Sequence, residues 1–230
     1  MREILCVSSY FGVQISLIGY GLGVVLKRKF KIALFNPLLV SIIFVIAALG
    51  LLGVDYESYN NGAKYLSYLL TPATVCLAIP LYQQLELLKG NYKAILGGIV
   101  SGALASFVSV FALSKLFNLT HEQYVTLLPK SITTAIGMGV SQELGGIVTI
   151  TVAVIIITGV LGNMMAEFVC RVFRIREPIA KGIALGTSSH AVGTVKAMEM
   201  GGVEGAMSSL AIAMTGLVTV LGASFFANLM

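Results

Sequence analysis

Long uncharged apolar runs alternate along this chain with short polar segments that carry most of its charge. Six of the runs reach the roughly 20 residues that a helix needs to cross about 30 Å of hydrocarbon. They are Ile4–Leu26, Ile32–Val54, Tyr65–Leu85, Ala94–Ser114, Leu144–Ala166 and Gly205–Met230. Because these runs are continuous, they predict helices and not the alternating strands of a barrel. We expect the first run to be a retained helix and not a cleaved signal peptide.

Composition supports an all-α polytopic transmembrane bundle. Hydrophobic residues make up 57% of the chain and charged residues only 11%, whereas a soluble domain carries about a quarter charged residues. The net charge of +5 does not predict a nucleic-acid partner, because the basic residues lie in short loops between apolar runs. We therefore expect a single integral membrane domain over residues 1–230, with the lipid bilayer as its surroundings.

Two polar segments are too short to cross the membrane comfortably. Only 12 uncharged residues separate Lys130 from Glu143, and 14 separate Lys181 from Lys196. If the basic loop after the first run is cytoplasmic, the charge pattern brings the first segment in from outside and the second from the cytoplasm. Both are predicted to be re-entrant or broken helices, which gives about eight membrane segments. Such irregular backbone is tolerated at membrane depth only next to protein or a water-filled cavity.

The two short segments also match each other without gaps. Residues 128–173 and 184–229 are candidate repeat units with an offset of 56, and each contains a hydroxyl residue, a Gly, a Glu and a Gly-Gly pair in the same order. The matched pairs are Ser131 with Thr187, Ala135 with Ala191, Gly137 with Gly193, Glu143 with Glu199, Gly145 with Gly201 and Gly146 with Gly202. A weaker third copy covers residues 71–116. A hairpin followed by one crossing helix reverses direction in the next unit, so the match predicts an inverted repeat, with chance as the alternative.

Hydroxyl side chains are concentrated in these segments and in the third copy. Free backbone N–H groups and hydroxyl donors suit a small anion such as a carboxylate. The candidate substrate-binding residues are Thr71, Thr74, Ser131, Thr133, Thr134, Thr187, Ser188, Ser189, His190 and Thr194. Alternatively, Ser and Thr only form hydrogen bonds within their own helices, and the histidine only packs.

Four charged residues bracket the segments: Lys130 and Glu143 around the first, Lys196 and Glu199 near the end of the second. Charge at membrane depth indicates a functional site, here charge or proton coupling, although long side chains also reach the interface by snorkelling. The three cysteines are too few and too apolar in context for a disulfide framework. No enzyme, metal or cofactor motif is present, so we expect no catalysis, no metal and no cofactor.

Four segments resemble landmarks of the LrgB/CidB family: FNPLL (Phe35–Leu39), LTPATVCLAIPLYQQ (Leu70–Gln84), LLPKSITTAIGMGVSQELGG (Leu127–Gly146) and GTSSHAVGTVKAMEMGG (Gly186–Gly202). The resemblance implies a multi-pass protein of the bacterial cytoplasmic membrane. It further implies either antiholin-like control of murein hydrolase activity and autolysis with a small LrgA/CidA-type partner, or transport of small monocarboxylates. Relatives linked to transport include the C-terminal part of the plastidial glycolate/glycerate transporter.

The hydroxyl-rich segments favour the second implication, a carrier or carrier subunit for a small organic acid of the pyruvate, glycolate or glycerate class. The alternative is the antiholin-like or holin-like protein, which has no saturable substrate. The small-residue stretch GGIVSGALAS, Gly97–Ser106, is compatible with close helix packing and a homo-oligomer.

Overall fold

The structure is a computed structural model that describes residues 10–30, 35–76 and 78–230, without the side chains of Leu70, Thr71, Thr74, Pro80 and Leu81. Every regular element in these ranges is a helix, so the all-helical prediction is confirmed. The chain divides into two compact units, Met1–Cys76 and Leu77–Met230. The single membrane domain over residues 1–230 stays a prediction.

The described helices of the first unit are α1 Phe11–Phe30, α2 Pro37–Leu52, α3 Tyr56–Ser67 and α4 Leu70–Cys76. Those of the second unit are α5 Ala78–Gln83, α6 Leu85–Gly90, α7 Tyr92–Leu116, α8 His121–Leu127, α9 Thr134–Glu143, α10 Val148–Val172, α11 Pro178–Met200 and α12 Gly202–Ala227.

Local signals fix the ends of α2. The Asn36 side chain accepts hydrogen bonds from the backbone N–H groups of Leu38 and Leu39, and Pro37 occupies the first turn, where its missing N–H costs nothing. Gly53 ends the helix in the left-handed conformation, with φ of 62°. The FNPLL segment is therefore a helix start.

The predicted third span, Tyr65–Leu85, is not one uninterrupted helix, because α3 ends at Ser67 and α4 begins at Leu70; that this run crosses the membrane stays a prediction. The chain there forms α4, α5 and the ends of two neighbouring helices. Pro72 has no N–H for the carbonyl of Tyr68, which is the C-terminal cap residue of α3. The described break in this apolar run therefore lies at its start, between α3 and α4.

Three helices, α7, α10 and α12, have the length and hydropathy to cross a membrane. They lie within or overlap the predicted runs Ala94–Ser114, Leu144–Ala166 and Gly205–Met230. The shorter apolar helix α2 has 16 residues. A total of eight membrane segments and the inverted repeat stay predictions.

Helix α11 is interrupted at His190, whose φ of 43° and ψ of −136° are not helical. A methyl group at Gly193 would lie 2.7 Å from the carbonyl oxygen of Leu185, although eight residues of continuous helix span about 12 Å. Lys181 and Met200, near the two ends of α11, also line one common cleft. The two arms of α11 therefore fold back on each other, and we call residues 178–200 the second hairpin.

Residues 121–143 form a first hairpin from α8, a turn and α9. The hydroxyl of Thr151 in α10 lies 2.8 Å from the carbonyl oxygen of Thr126 and 2.7 Å from Oγ of Ser141. The backbone N–H of Ile147 donates to Oγ1 of Thr126 at 2.8 Å. Thr126 at the end of α8 and Ser141 near the end of α9 thus share the start of α10. The two ends of the first hairpin therefore lie beside each other at the N-terminal end of α10.

The second hairpin packs closely on α12 because glycines remove the intervening side chains. A methyl group at Gly182 would lie 2.8 Å from Cβ of Met207, and one at Gly186 would lie 2.6 Å from Cβ of Ala211. Ala211 and Met207 are fully buried in this contact. The close approach satisfies the requirement that a broken helix be covered by protein.

We predict that Gly186→Ala destabilises the fold, because the added methyl group overpacks the contact with α12. Overpacking of this kind costs about 1–3 kcal/mol. The matched control is Gly97→Ala in α7, whose methyl group meets no atom within 4 Å and which removes a flexible residue from a helix. Thermal unfolding in detergent should show a lower Tm for Gly186→Ala and an unchanged or higher Tm for Gly97→Ala. Equal Tm values would contradict the packing.

Candidate functional site

A groove of about 950 Å³ runs along one face of α7 in the second unit. The residues that α7 contributes are Gly98, the residue four positions before it and those three, four, seven, eight and eleven positions after it, which places them on one side of the helix. They are Ala94, Gly98, Ser101, Gly102, Ala105, Ser106 and Ser109. The groove also includes Asn91 and Glu177 and reaches the turn of the first hairpin. It is lined by small and hydroxylated side chains of a membrane-length helix.

The first hairpin contributes a cation and a hydroxyl to this groove. Nζ of Lys130 donates to Oγ of Ser131 at 3.0 Å, and Oγ of Ser131 lies 3.1 Å from Oγ of Ser106. Ser131 is buried and Lys130 is half-buried. Across the described chain, the Lys130 ammonium has this one hydrogen bond and no carboxylate partner. An ammonium group beside two hydroxyls is suited to receive a small anion.

The second hairpin contributes Thr187 and Ser188 to the same groove. Gly102 makes room for Thr187, because a methyl group there would lie 2.8 Å from its Oγ1. The Thr187 hydroxyl donates to the carbonyl of Ile183 at 2.8 Å, and the Ser188 hydroxyl donates to that of Ala184 at 2.7 Å. Both hydroxyls thus donate within their own helix, as the alternative interpretation expects, and both residues also line the groove.

The hairpins approach the middle of α7 from its opposite ends. In order along α7, Gly98 faces Ile183, Gly102 faces Thr187 and Ser106 bonds to Ser131. Further along, the ring of Phe111 lies 6.1 Å from that of Tyr124, near the start of the first hairpin. The start of the second hairpin is therefore near the N-terminal end of α7, and the start of the first is near its C-terminal end. Their inner ends meet about halfway along a 25-residue helix.

His190 and Ser189 lie against α10 and do not line the groove. Nε2 of His190 is 2.9 Å from the carbonyl oxygen of Ile155, and the imidazole occupies the space left by Gly159. Ser189 fills the space left by Gly162 in the same way. His190 thus makes the packing contact that was its alternative interpretation, and the substrate-binding roles of His190 and Ser189 stay predictions.

A side-chain amide supports the broken backbone of the second hairpin. Nδ2 of Asn163 in α10 donates to the carbonyl of Val192 at 2.8 Å, two residues after the break. Thr194 is fully buried and its Oγ1 lies 2.7 Å from Oγ of Ser208 in α12. Sequence reasoning missed Asn163 and Ser208, although an asparagine within an apolar run is a visible signal of an interior contact.

The remaining hydroxyl candidates lie apart from the groove or outside the description. Thr133 is the N-terminal cap residue of α9 and Thr134 its first residue; both are half-buried. The side chains of Thr71 and Thr74 lie outside the described residues. The substrate-binding roles of all these residues stay predictions.

The charged candidates fall into two groups. Lys196 forms ion pairs with Glu167 of α10 and with Glu199, the latter at 3.3 Å, so it joins the second hairpin to α10. Glu143, at the end of α9, is exposed. Lys130 alone of the four lines the groove. Glu167 was not predicted, because sequence spacing does not show which helix faces Lys196.

The serines of α7 were the principal omission of sequence reasoning. Ser101, Ser106 and Ser109 line the groove, and two of them fall in the stretch that the sequence indicated only as a close-packing helix. Their common face follows from helical periodicity and was available as a signal. Within the described ranges, no group of three His, Cys, Asp or Glu residues is placed to hold a metal ion.

Comparison with known proteins gives one family. The model of the LrgB-like family matches residues 16–229. A protein named antiholin-like protein LrgB from Bacillus subtilis (strain 168) is 40% identical over 223 residues, which cover 96% of each chain. Another of that name from Bacillus cereus (strain B4264) is 41% identical over 213 residues, covering 92% of this chain and 93% of the relative. No solved structure matches.

We predict that the groove admits water-soluble reagents from the membrane surface. In a background without Cys6, Cys76 and Cys170, a charged thiol reagent should modify Ser188→Cys, which lines the groove and is exposed. Ser208→Cys, at a fully buried position, should resist. Val100→Cys, on the opposite face of α7, should also resist in a bilayer because it faces hydrocarbon. Modification of Val100→Cys but not Ser188→Cys, measured by mass spectrometry, would contradict the assignment.

Proposed function

Because this chain belongs to the LrgB-like family, we propose that it acts as an antiholin-like protein of the bacterial cytoplasmic membrane. The observation that carries the proposal is the match to relatives of that name at about 40% identity over nearly the whole of both chains. In this role the protein modulates murein hydrolase activity and autolysis together with a small LrgA/CidA-type membrane protein. It performs no catalysis and needs no cofactor.

The membrane-length helices support this role, since each presents apolar side chains away from the interior of its unit. On α7, for example, Leu96, Val100, Leu104 and Val108 form an exposed stripe at intervals of four residues. A stripe of this kind faces lipid or the helix of another membrane protein, including a second copy of this chain. Contacts of this kind are what the proposed role requires.

Expression of the chain should slow autolysis in a bacterial host from which the resident LrgB-type gene has been deleted. The matched culture carries the empty vector, and the amount of protein in the membrane fraction is measured in both. Lysis is followed by turbidity after addition of a mild detergent, and hydrolase activity by zymography. The proposal fails if the protein accumulates in the membrane while lysis and hydrolase activity stay unchanged.

A second candidate function is transport of a small monocarboxylate, and the groove favours it. Lys130, Ser131 and Ser106 supply one cation and two hydroxyls halfway along α7, at the meeting point of two hairpins. Discontinuous helices that meet near the middle of the bilayer are typical of secondary transporters. The carboxylate of pyruvate, glycolate or glycerate would accept the donors of these side chains.

Replacement of Lys130 tests the second function. Uptake of labelled pyruvate or glycolate into proteoliposomes should be saturable, and Lys130→Gln should reduce it by roughly tenfold because a charge-assisted hydrogen bond is lost. Lys115→Gln, at an exposed position in the last turn of α7, is the matched control and should transport normally. Leakage of an unrelated dye would indicate a pore, and equal uptake by both variants would exclude Lys130 from the site.

A further inference from the structure

A second cleft, of about 410 Å³, lies at the end of α10 between the two ends of the second hairpin. Its lining combines four cationic side chains with Ile175, Met200, Cys170 and one acid, Glu167. The cations are Arg171, Arg174, Arg176 and Lys181. This cleft is separate from the groove along α7 and shares no lining residue with it.

The cleft has four cationic side chains and one acidic side chain in its lining. Among residues 10–30, 35–76 and 78–230, none of the four cationic side chains forms an ion pair or a hydrogen bond to another side chain or a carbonyl. The acid in the lining, Glu167, pairs with Lys196. The arginines therefore do not cap the last carbonyls of α10, which is the usual role of basic residues at a helix C-terminus. Several fixed cations around a concave space attract an anion.

The backbone of the linker after α10 holds two of these arginines in place. Arg174 has φ of 55°, a left-handed conformation that residues with long side chains rarely adopt, and the N–H of Ile175 donates to the carbonyl of Cys170 at 2.8 Å. The corresponding turn after α7 has Asn118 in this conformation, with φ of 50°, a residue that tolerates it better. Arg174 thus adopts a left-handed backbone conformation that Asn or Gly adopts at lower cost.

Apolar side chains border the cationic cleft on the last turns of α10. Phe168, Val172 and Phe173 are each more than half exposed. Because α10 is a membrane-length helix and its basic end is predicted to be cytoplasmic, these side chains lie where acyl chains meet headgroups. A cationic cleft beside exposed apolar residues matches a molecule with a phosphate head and a hydrocarbon tail.

We propose that this cleft binds a phosphate group, supplied by the headgroup of an anionic phospholipid. Arginine side chains recognise phosphate through paired N–H donors, and Arg171, Arg174 and Arg176 present such donors from one short segment. Lys181 and Met200 belong to opposite ends of the second hairpin. A bound headgroup therefore joins α10 to both arms and stabilises the base of the hairpin.

Thermal unfolding of the purified full-length protein in detergent tests the proposal. Phosphatidylglycerol should raise the Tm and phosphatidylcholine should not. In Arg174→Gln/Arg176→Gln, the phosphatidylglycerol concentration for half the shift should rise by roughly tenfold or more. The matched control is Arg28→Gln/Lys29→Gln, which removes the same charge from the basic end of α1 and should respond as the wild type does.

Two further experiments identify the source of the phosphate and control for misfolding of the Gln variant. A Tm shift with inorganic phosphate alone, equal to the lipid effect, would assign the site to free phosphate instead of a headgroup. Arg174→Lys/Arg176→Lys keeps the charge but loses the paired N–H donors, so it should respond more strongly than the Gln variant and less strongly than the wild type. The proposal is overturned if no phosphate compound raises the Tm, if phosphatidylcholine is as effective, or if the cleft and control variants lose the response equally.

Discussion

Irregular backbone within a membrane has to be covered by protein or water, and this constraint shapes the second unit. Each hairpin interrupts a helix and frees backbone groups that lipid cannot satisfy. The break at His190 is covered by α10, where the Ile155 carbonyl is 2.9 Å from the imidazole and the Asn163 amide donates to Val192. The first hairpin is fastened to α10 by Thr126 and its neighbours. Helices α7, α10 and α12 thus shield the irregular backbone of the hairpins from lipid.

The same constraint explains why polar residues occur in so apolar a chain. Some of them, such as Thr194, Ser208 and Asn163, form hydrogen bonds that hold the irregular segments in place. Another part, represented by Lys130 and Ser131, lies beside a groove whose hydroxyls come from α7. The structure separates the two roles, which residue type alone does not. The proposed antiholin-like role would use the exposed helix surfaces, and a carrier would use the groove.

Charge spacing indicated broken or re-entrant helices because a run of 12 or 14 uncharged residues is short for an ordinary span, and α11 is indeed broken at His190. That the two segments re-enter the membrane stays a prediction. Helix periodicity did not reveal which side of each segment faces the groove, since that depends on long-range packing. His190 illustrates the difference: its polarity suggested a ligand contact, whereas Gly159 in another helix provides the space that it fills. Pro72 was a visible signal of a break within the apolar run Tyr65–Leu85, and α3 ends five residues before it, at Ser67.

The central claim is that two hairpins enter from opposite ends of α7 and meet at its middle. Spin labels at Ser131→Cys and Ser188→Cys, in a background without native cysteines and in lipid bilayers, test it most directly. The account predicts strong dipolar broadening for this pair. A second pair at the outer ends of the hairpins, Glu122→Cys and Arg176→Cys, should show none, because the positions are separated by most of the length of α10. Absence of broadening between Ser131 and Ser188 labels would contradict the arrangement.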